Sequence, residues 1–249
     1  MIAPSQNIQQ PASGIQDPSK RPTIWFRVDL GLMPYEEAWD LQTRLVAAKK
    51  EKTVKRDVVL FVEHPPVFTL GRRGGLEHLV VPEAFLASRG IEVVPIERGG
   101  FITFPGPGQL VIYPSLDLRA ARLGVAEFVE ALEEVMIRIA ADQGVRAGRN
   151  DLNRGVWVGQ DKLGSIGIAV RHGISFHGLA LNVNMDLLPF TWVRPCGLEG
   201  ISMTSLRRVT GRDIPMDEAR RSAARHMEGI FGMALEGLSL ERLGAMMAG

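Results

Sequence analysis

The sequence predicts an α/β (α+β) fold in which a central mixed β-sheet is flanked by helices. Short strand-like runs alternate with amphipathic segments of helical spacing, so periods near 2 and near 3.6 residues are both present. No internal repeat and no linker interrupt this alternation. We therefore expect residues 23–249 to form one domain. Residues 1–22 are rich in Pro, Gln and Ser and predict a disordered tail.

The composition is that of an ordinary folded domain. Of the 249 residues, 45% are hydrophobic and 23% are charged, which provides enough apolar area for a sizeable core. The net charge of +1 gives no electrostatic reason to expect nucleic acid or a membrane surface as a partner. No stretch approaches the ~20 apolar residues of a membrane helix. The N-terminus lacks an export-signal pattern, and a single cysteine excludes an internal disulfide, so a cytoplasmic protein is expected.

The first half of the chain predicts several strands and one helix. Residues 23–30 indicate a strand ended by Gly31, and apolar residues at helical spacing predict a helix that starts near Pro34. The basic cluster 49–56 closes that helix and is expected to be a solvated surface. Further strands are predicted at 57–62, 67–70, 91–96, 101–104 and 110–114.

The second half predicts one long helix, three strands and a helical tail. The helix at 125–143 has one apolar face and is stopped by Gly144. Strands are predicted at 155–158, 165–170 and 175–183. Residues 159–161 are expected to form the hairpin turn between the first two. From Met216 onward the tail is expected to be helical.

Common motifs of nucleotide, metal and serine chemistry are missing from the sequence. Neither glycine-rich stretch, 71–75 or 106–108, continues into a phosphate-binding loop or a dinucleotide fingerprint. The five histidines lack zinc-site spacing and have no cysteine pair nearby. A GxSxG nucleophile elbow is also absent. We expect neither a cofactor nor a metal.

Three segments concentrate glycine with polar and ionisable residues, at 98–109, 162–167 and 177–198. The last contains Cys196, flanked by Pro and Gly on a loop expected after a strand, where free backbone amides could stabilise an oxyanion. A lone cysteine is, however, more often a small buried hydrophobe than a nucleophile. On pattern alone, both interpretations of Cys196 stay open.

Several blocks of residues stand out in chain order: EHPP at 63–66, ERGG at 97–100 with Thr103, GPGQLVIYP at 106–114, KLGSIG at 162–167, HGLALNVN at 177–184 and PCGL at 195–198. Together these blocks resemble those of the octanoyl-[acyl carrier protein]:protein octanoyltransferases, the lipoyl(octanoyl) transferases of lipoate biosynthesis. The resemblance spans roughly residues 25–215. Several blocks in the same order are far more specific than any one of them.

The resemblance implies a fold shared with biotin and lipoate protein ligases, an acyl thioester on Cys196, and Lys162 beside that cysteine. It implies that octanoyl-acyl carrier protein is the donor. The implied acceptors are lipoyl domains of 2-oxoacid dehydrogenase complexes or the glycine cleavage H protein, and octanoyl transfer is the first step of protein lipoylation. The implied substrate-contacting residues are Arg98, Gly99, Gly100, Phe101, Ile102, Thr103, Phe104, Ser165, Ile166, Gly167, Gly178, Leu179 and Ala180. Similar proteins usually have His where this chain has Pro105, so any hydrogen bond from that histidine is missing here.

Less specific interpretations stand beside these. Lys162 could be an exposed lysine after the hairpin turn, Arg98 a surface charge, and His177 either a core histidine or a pocket wall. Arg72 and Arg73 could steer an acidic carrier protein or belong to a solvated loop. The alternative functions are an ATP-dependent lipoate or biotin protein ligase and a non-catalytic acyl- or lipoyl-binding protein.

Overall fold

A computed structural model describes residues 23–194 and 201–248, so the predicted tail at 1–22 lies outside the described residues. The strands within these ranges are β1 Thr23–Leu32, β2 Val58–Glu63, β3 Val67–Leu70, β4 Glu92–Pro95, β5 Ile102–Thr103, β6 Gln109–Ser115, β7 Val156–Val158, β8 Asp161–Arg171, β9 Ile174–Asn182 and β10 Met233–Gly237. The helices are α1 Tyr35–Glu51, α2 Glu83–Ala87, α3 Val125–Asp142, α4 Leu206–Thr210, α5 Met216–Phe231 and α6 Leu240–Ala248. Short 3₁₀ turns lie at Leu76–His78 and Leu188–Trp192.

Seven strands form one mixed sheet in the order β10-β1-β2-β6-β9-β8-β7. The three strands β10, β1 and β2 are parallel, and every later neighbouring pair is antiparallel. A smaller sheet has the order β4-β3-β5. The predicted mixed sheet with helices is therefore confirmed.

Helices pack on both faces of the large sheet, and the alternation of side chains along β6 shows how. Leu110 and Ile112 belong to the apolar core that contains residues of α3 and α5. Val111 and Tyr113 belong to the core that contains residues of α1. The pocket described below lies on the α1 side, because Val111 and Tyr113 also line it.

Helix α1 follows the predicted pattern except in its last turn. Acidic residues in the first turn and basic residues in the last suit the helix dipole, and Lys52 ends the helix with a φ of 64°. Lys49 is buried, and its Nζ lies 2.6 Å from Asp57 Oδ1. The expectation that the whole cluster 49–56 is solvated is therefore wrong for Lys49.

Two other predictions about local structure are wrong. Gly31 does not end β1, because its φ of 64° accompanies a bulge between Asp29 and Leu32 and the strand continues to Leu32. The tail from Met216 is not helical throughout, since β10 separates α5 from α6 and pairs in parallel with β1. Within the described ranges, no helix is both long and apolar enough to cross a membrane.

Candidate active site

A pocket with an empty volume of about 750 Å³, open mouth included, lies between residues of the large and the small sheet. All predicted substrate-contacting residues except Gly99 and Phe104 line it. Gly99 instead donates its N–H to the Ile168 carbonyl at 3.0 Å. Phe104 is buried with its ring 4.8 Å from that of Phe68. The structure thus brings the three glycine-rich segments together around one space.

The pocket extends along the paired strands β8 and β9. Their register places Ser165 opposite Ala180, and Ile168 opposite His177. Lys162 lies near the start of β8, and Ile168 of the same strand lies opposite His177. The six residue steps from Lys162 to Ile168 span about 20 Å at ~3.3 Å each. Lys162 and His177 both line the pocket and mark two ends of it.

Lys162 is held from several sides and is only 3% exposed. Its Nζ donates to the Arg154 carbonyl at 2.9 Å and lies 5.2 Å from the centroid of the Trp157 ring. Its backbone N–H donates to the Ser202 carbonyl at 2.9 Å, and its carbonyl accepts from the Thr204 N–H at 2.9 Å. The alternative of an exposed turn lysine is therefore wrong.

The predicted nucleophile, Cys196, lies outside the described residues. The described chain ends before it at Arg194, whose N–H donates to the His78 carbonyl at 2.8 Å. It resumes at Ile201, and Met203 forms a parallel bridge with Lys162. The segment that follows Cys196 in the sequence therefore runs beside Lys162.

Arg98 is a buried positive charge in the pocket wall. Its Nη2 donates to the Thr69 carbonyl at 2.7 Å and to Thr69 Oγ1 at 2.9 Å, and its Nη1 donates to the Gly99 carbonyl at 3.0 Å. A Cβ placed on Gly167 would lie 3.0 Å from Arg98 Cδ, so the glycine allows the arginine to approach β8. The alternative of a surface charge is wrong, because Arg98 is only 8% exposed.

Four aromatic polar side chains cluster at the His177 end. His64 Nδ1 lies 2.7 Å from the Met33 carbonyl and must donate to it, so His64 Nε2 accepts from the Tyr113 hydroxyl at 2.8 Å. The Tyr35 hydroxyl is hydrogen-bonded to Tyr113 and lies 3.4 Å from His177 Nδ1. His177 is therefore both a buried histidine and a pocket wall.

This cluster is uncharged at neutral pH because of burial. Burial lowers the pKa of His64 to about 4, against the opposing effect of its hydrogen bond to Met33. Burial, followed by the charges of Arg98 and Arg171, lowers the pKa of His177 to about 3. Burial also raises the pKa values of the Tyr35 and Tyr113 hydroxyls well above their usual range.

Arg72 and Arg73 are exposed but belong to a loop that is fixed to the pocket wall. The Arg72 N–H donates to the Arg98 carbonyl at 3.0 Å, and the Arg73 N–H donates to the Gly100 carbonyl at 3.1 Å. The Arg73 guanidinium lies 4.9 Å from the ring centroid of Phe101, which lines the pocket. Both guanidinium groups are therefore near the pocket without forming its floor.

Sequence reasoning missed several lining residues, namely Tyr35, Thr69, Val111, Tyr113, Asn153, Phe190 and Met203. Tyr113 lies in one of the family-like blocks, which is the signal that could have identified it. Tyr35 has the spacing of an ordinary core residue of α1, so its sequence context gave no such signal. Pro105 also lines the pocket.

Solved structures with a similar fold include two lipoate-protein ligases. Lipoate-protein ligase A bound with ATP has a TM-score of 0.70 and 15% identity, with 90% of this chain and 93% of that chain covered. A bipartite lipoate protein ligase from Thermoplasma acidophilum has a TM-score of 0.70 and 16% identity, with 90% and 91% covered. At these identities the likeness shows the fold alone, and the predicted ligase-like fold is confirmed.

Sequence comparison identifies the family. Residues 34–228 match the model of the lipoyl protein ligase A/B catalytic domain. The octanoyltransferase of Desulfotalea psychrophila is 51% identical over 209 residues, which cover 83% of this chain and 94% of that protein. The octanoyltransferase of Syntrophobacter fumaroxidans is 46% identical over 206 residues, which cover 83% and 90%. The chain therefore belongs to the octanoyltransferases, a family of acyltransferases with a lipoyl protein ligase A/B catalytic domain.

Proposed function

We propose that this protein transfers an octanoyl group from octanoyl-acyl carrier protein to a lysine of a lipoyl domain, through a thioester on Cys196. Residues 23–249 act together as one acyltransferase domain in this proposal. The family and the names of the relatives support octanoyl transfer. The observation that carries the proposal is buried Lys162, which lines the same pocket as the predicted acyl-contacting residues and pairs with the chain that follows Cys196.

In the first half-reaction the Cys196 thiolate attacks the carbonyl carbon of the donor thioester. A free thiol has a pKa near 8.5, so only a few per cent is ionised at neutral pH. An ammonium about 4 Å away would favour the thiolate by at most about 4 kcal/mol at an effective dielectric near 20. Lys162 supplies that charge, and backbone amides near Gly197 stabilise the oxyanion. The bond to the phosphopantetheine sulfur breaks, and the leaving sulfur takes a proton from Lys162.

In the second half-reaction the neutral amine of the acceptor lysine attacks the Cys196 thioester. An amide bond forms, the Cys196 thiolate leaves, and the amine proton passes to Lys162, which regains its charge. The second half-reaction therefore returns to Lys162 the proton that the first half-reaction takes from it. The conversion of a thioester into an amide is downhill, so no ATP is required.

The pocket beside Lys162 suits a medium-length acyl chain. Its lining includes Val111, Ile166, Leu179 and Phe190, which offer apolar contact along its length. Each buried CH₂ group of a ligand contributes about 0.8 kcal/mol. Gly167 leaves no room for a side chain at this point, because a Cβ there would lie 2.9 Å from the Gly99 carbonyl oxygen and 3.0 Å from Arg98 Cδ.

A transfer assay with purified components tests the proposal. Octanoyl-acyl carrier protein and a lipoyl domain are mixed with the protein, and the octanoylated domain is measured by mass spectrometry without ATP. We expect transfer by the wild-type protein and none by Cys196→Ala. Transfer that requires free octanoate and ATP would instead indicate the ligase reaction. Acyl binding without transfer would indicate a binding protein.

A further inference from the structure

Helix α3 contributes a buried carboxylate that has no part in the mechanism above. Glu133 is 1% exposed although it lies on a helix that begins and ends at the surface. Its Oε1 accepts from the Gly155 N–H at 2.9 Å. Its Oε2 accepts from Arg149 Nε at 3.0 Å and lies 3.4 Å from Arg154 Nη1. All three partners belong to the loop at 149–155.

The same loop makes the contacts that hold Lys162. The Arg154 carbonyl accepts from Lys162 Nζ at 2.9 Å. Gly155 has a φ of 124°, and a Cβ there would meet the Gly164 carbonyl and lie 2.9 Å from Lys162 Cε. The lysine stem therefore packs directly on the loop backbone. Glu133 holds the peptide unit between Arg154 and Gly155, because its carboxylate accepts the Gly155 N–H.

We propose that Glu133 is a positioning residue that fixes the loop at 149–155, so that the Arg154 carbonyl holds the Lys162 amine in place at the pocket. The loop has no regular secondary structure, so side-chain hydrogen bonds largely determine its position. Arg149 and Arg154 are exposed, but the Gly155 N–H is buried, so loss of the Glu133 carboxylate leaves that donor unsatisfied. The inference rests on the proposed function, because it acts through the pairing of Lys162 with Cys196.

Replacement of Glu133 can change the pKa of Cys196 in two ways, and the two changes have opposite directions. Loss of a negative charge, acting through space alone, would favour the thiolate and lower the pKa of Cys196. Loss of the position of Lys162 would remove a favourable positive charge and raise that pKa. The direction of the change therefore distinguishes positioning from a direct electrostatic effect, and a purely structural role would change stability alone.

The pH dependence of cysteine alkylation measures this direction. Cys196 is the only cysteine, so the rate of iodoacetamide modification, followed by intact mass, reports its ionisation alone. In Glu133→Leu, which removes both acceptor oxygens, we expect the midpoint of the profile to move toward that of an ordinary thiol, with alkylation slowed about tenfold at pH values below both midpoints. Lys162→Ala should move the midpoint at least as far, and adding Glu133→Leu to it should change nothing further.

Glu134→Leu is the matched control. Glu134 is the next residue on α3 and pairs with Arg138 and Arg149, but it has no bond to Gly155 or Arg154. We expect its profile to match that of the wild type. If Glu133→Leu does not fold, Glu133→Asp is used for the test, because it keeps the charge but is one CH₂ too short to reach Gly155.

Two results would overturn the proposal and are distinguishable. If Lys162→Ala raises the midpoint while the folded Glu133 variant leaves it unchanged or lowers it, Glu133 does not position Lys162. If Lys162→Ala itself leaves the midpoint unchanged, the proposed role of Lys162 fails and the inference fails with it. Transfer activity of the wild type, measured separately, shows whether octanoyl transfer stands in either case.

Discussion

The two ends of the pocket differ in how their buried polar side chains are held. At one end Lys162 is held by a backbone carbonyl, by strand pairing with 202–204, and through a loop that Glu133 fixes. At the other end His64 and two tyrosines form hydrogen bonds with one another, His177 Nε2 is buried without a partner among the described residues, and both histidines are neutral. In the proposed mechanism, proton transfer therefore belongs to the Lys162 end, and the His177 end contributes to the wall of the pocket.

The largest expected effect is at the Lys162 end. Lys162→Ala should reduce octanoyl transfer about a thousandfold, because the charge that favours the thiolate and the proton relay are both lost. The protein should remain folded, as judged by circular dichroism. Lys55→Ala, at an exposed lysine, serves as the control with unchanged transfer. Near-normal rates in Lys162→Ala would remove this residue from the mechanism.

The neutral end predicts a loss of stability in acid. The pKa of His64 is about 4 in the folded protein and near 6.5 when unfolded, so the unfolded state binds more protons between these values. This contribution to stability is complete above pH ~6.5 and is lost as pH falls toward 4, by about 3 kcal/mol. His177 acts in the same direction.

Urea unfolding of the wild type and of His64→Gln between pH 7 and 4 measures this contribution. The stability of the variant should fall less steeply with decreasing pH than that of the wild type. His172→Gln, at an exposed histidine, should have the wild-type slope. Parallel curves for the wild type and His64→Gln would show that His64 is not buried in its neutral form.

The packing of Lys162 on Gly155 predicts a smaller loss of stability than the acid effect of His64. Gly155→Ala should lower the free energy of unfolding by about 1–3 kcal/mol, because φ is positive and the new Cβ meets the Gly164 carbonyl and Lys162. It should also reduce transfer. Gly159→Ala has a φ of 60° and nothing near its Cβ, so it should cost only about 1 kcal/mol and leave transfer unchanged. Equal effects of the two variants would contradict the close packing on Lys162.

The smallest expected effect separates the two tyrosines of the neutral end. Tyr113→Phe removes the donor to buried His64 Nε2 and should cost about 1–2 kcal/mol in unfolding free energy. Tyr35→Phe removes the hydrogen bond to Tyr113 and a longer contact of 3.4 Å to His177, but it leaves buried His64 Nε2 with its donor and should cost less. Thermal unfolding of both variants checks this order. A larger loss of stability in Tyr35→Phe than in Tyr113→Phe would show that the Tyr35 hydroxyl makes the stronger hydrogen bond.

Much of the fold could be predicted because its signals are local. The apolar face of α3 and the Gly159 turn between β7 and β8 depend on spacing within one segment. The strand β10 could not be predicted in this way, because it is stabilised by parallel pairing with β1, whose residues lie at the other end of the chain. Gly31 lies at a bulge within β1 rather than at the end of the strand, and a glycine in the sequence does not distinguish these two cases.

The site was predictable where glycine accompanies close approach, as at Gly167 and Gly178, and where residues belong to family-like blocks. Tyr35 and Met203 enter the pocket only through tertiary packing, so their sequence context resembles that of ordinary core residues. Glu133 has the appearance of a solvated helix charge next to Glu134. Only the folded loop at 149–155, which covers it, shows that it is buried.

Intact mass spectrometry with a chase tests the central claim most directly. The protein is mixed with octanoyl-acyl carrier protein alone, and a lipoyl domain is added after the excess donor is removed. We expect an octanoyl adduct on Cys196, localised by peptide mapping, that disappears as the lipoyl domain gains the same mass. Transfer that proceeds at the wild-type rate with no adduct, or an adduct that persists in Cys196→Ser, would contradict the thioester mechanism.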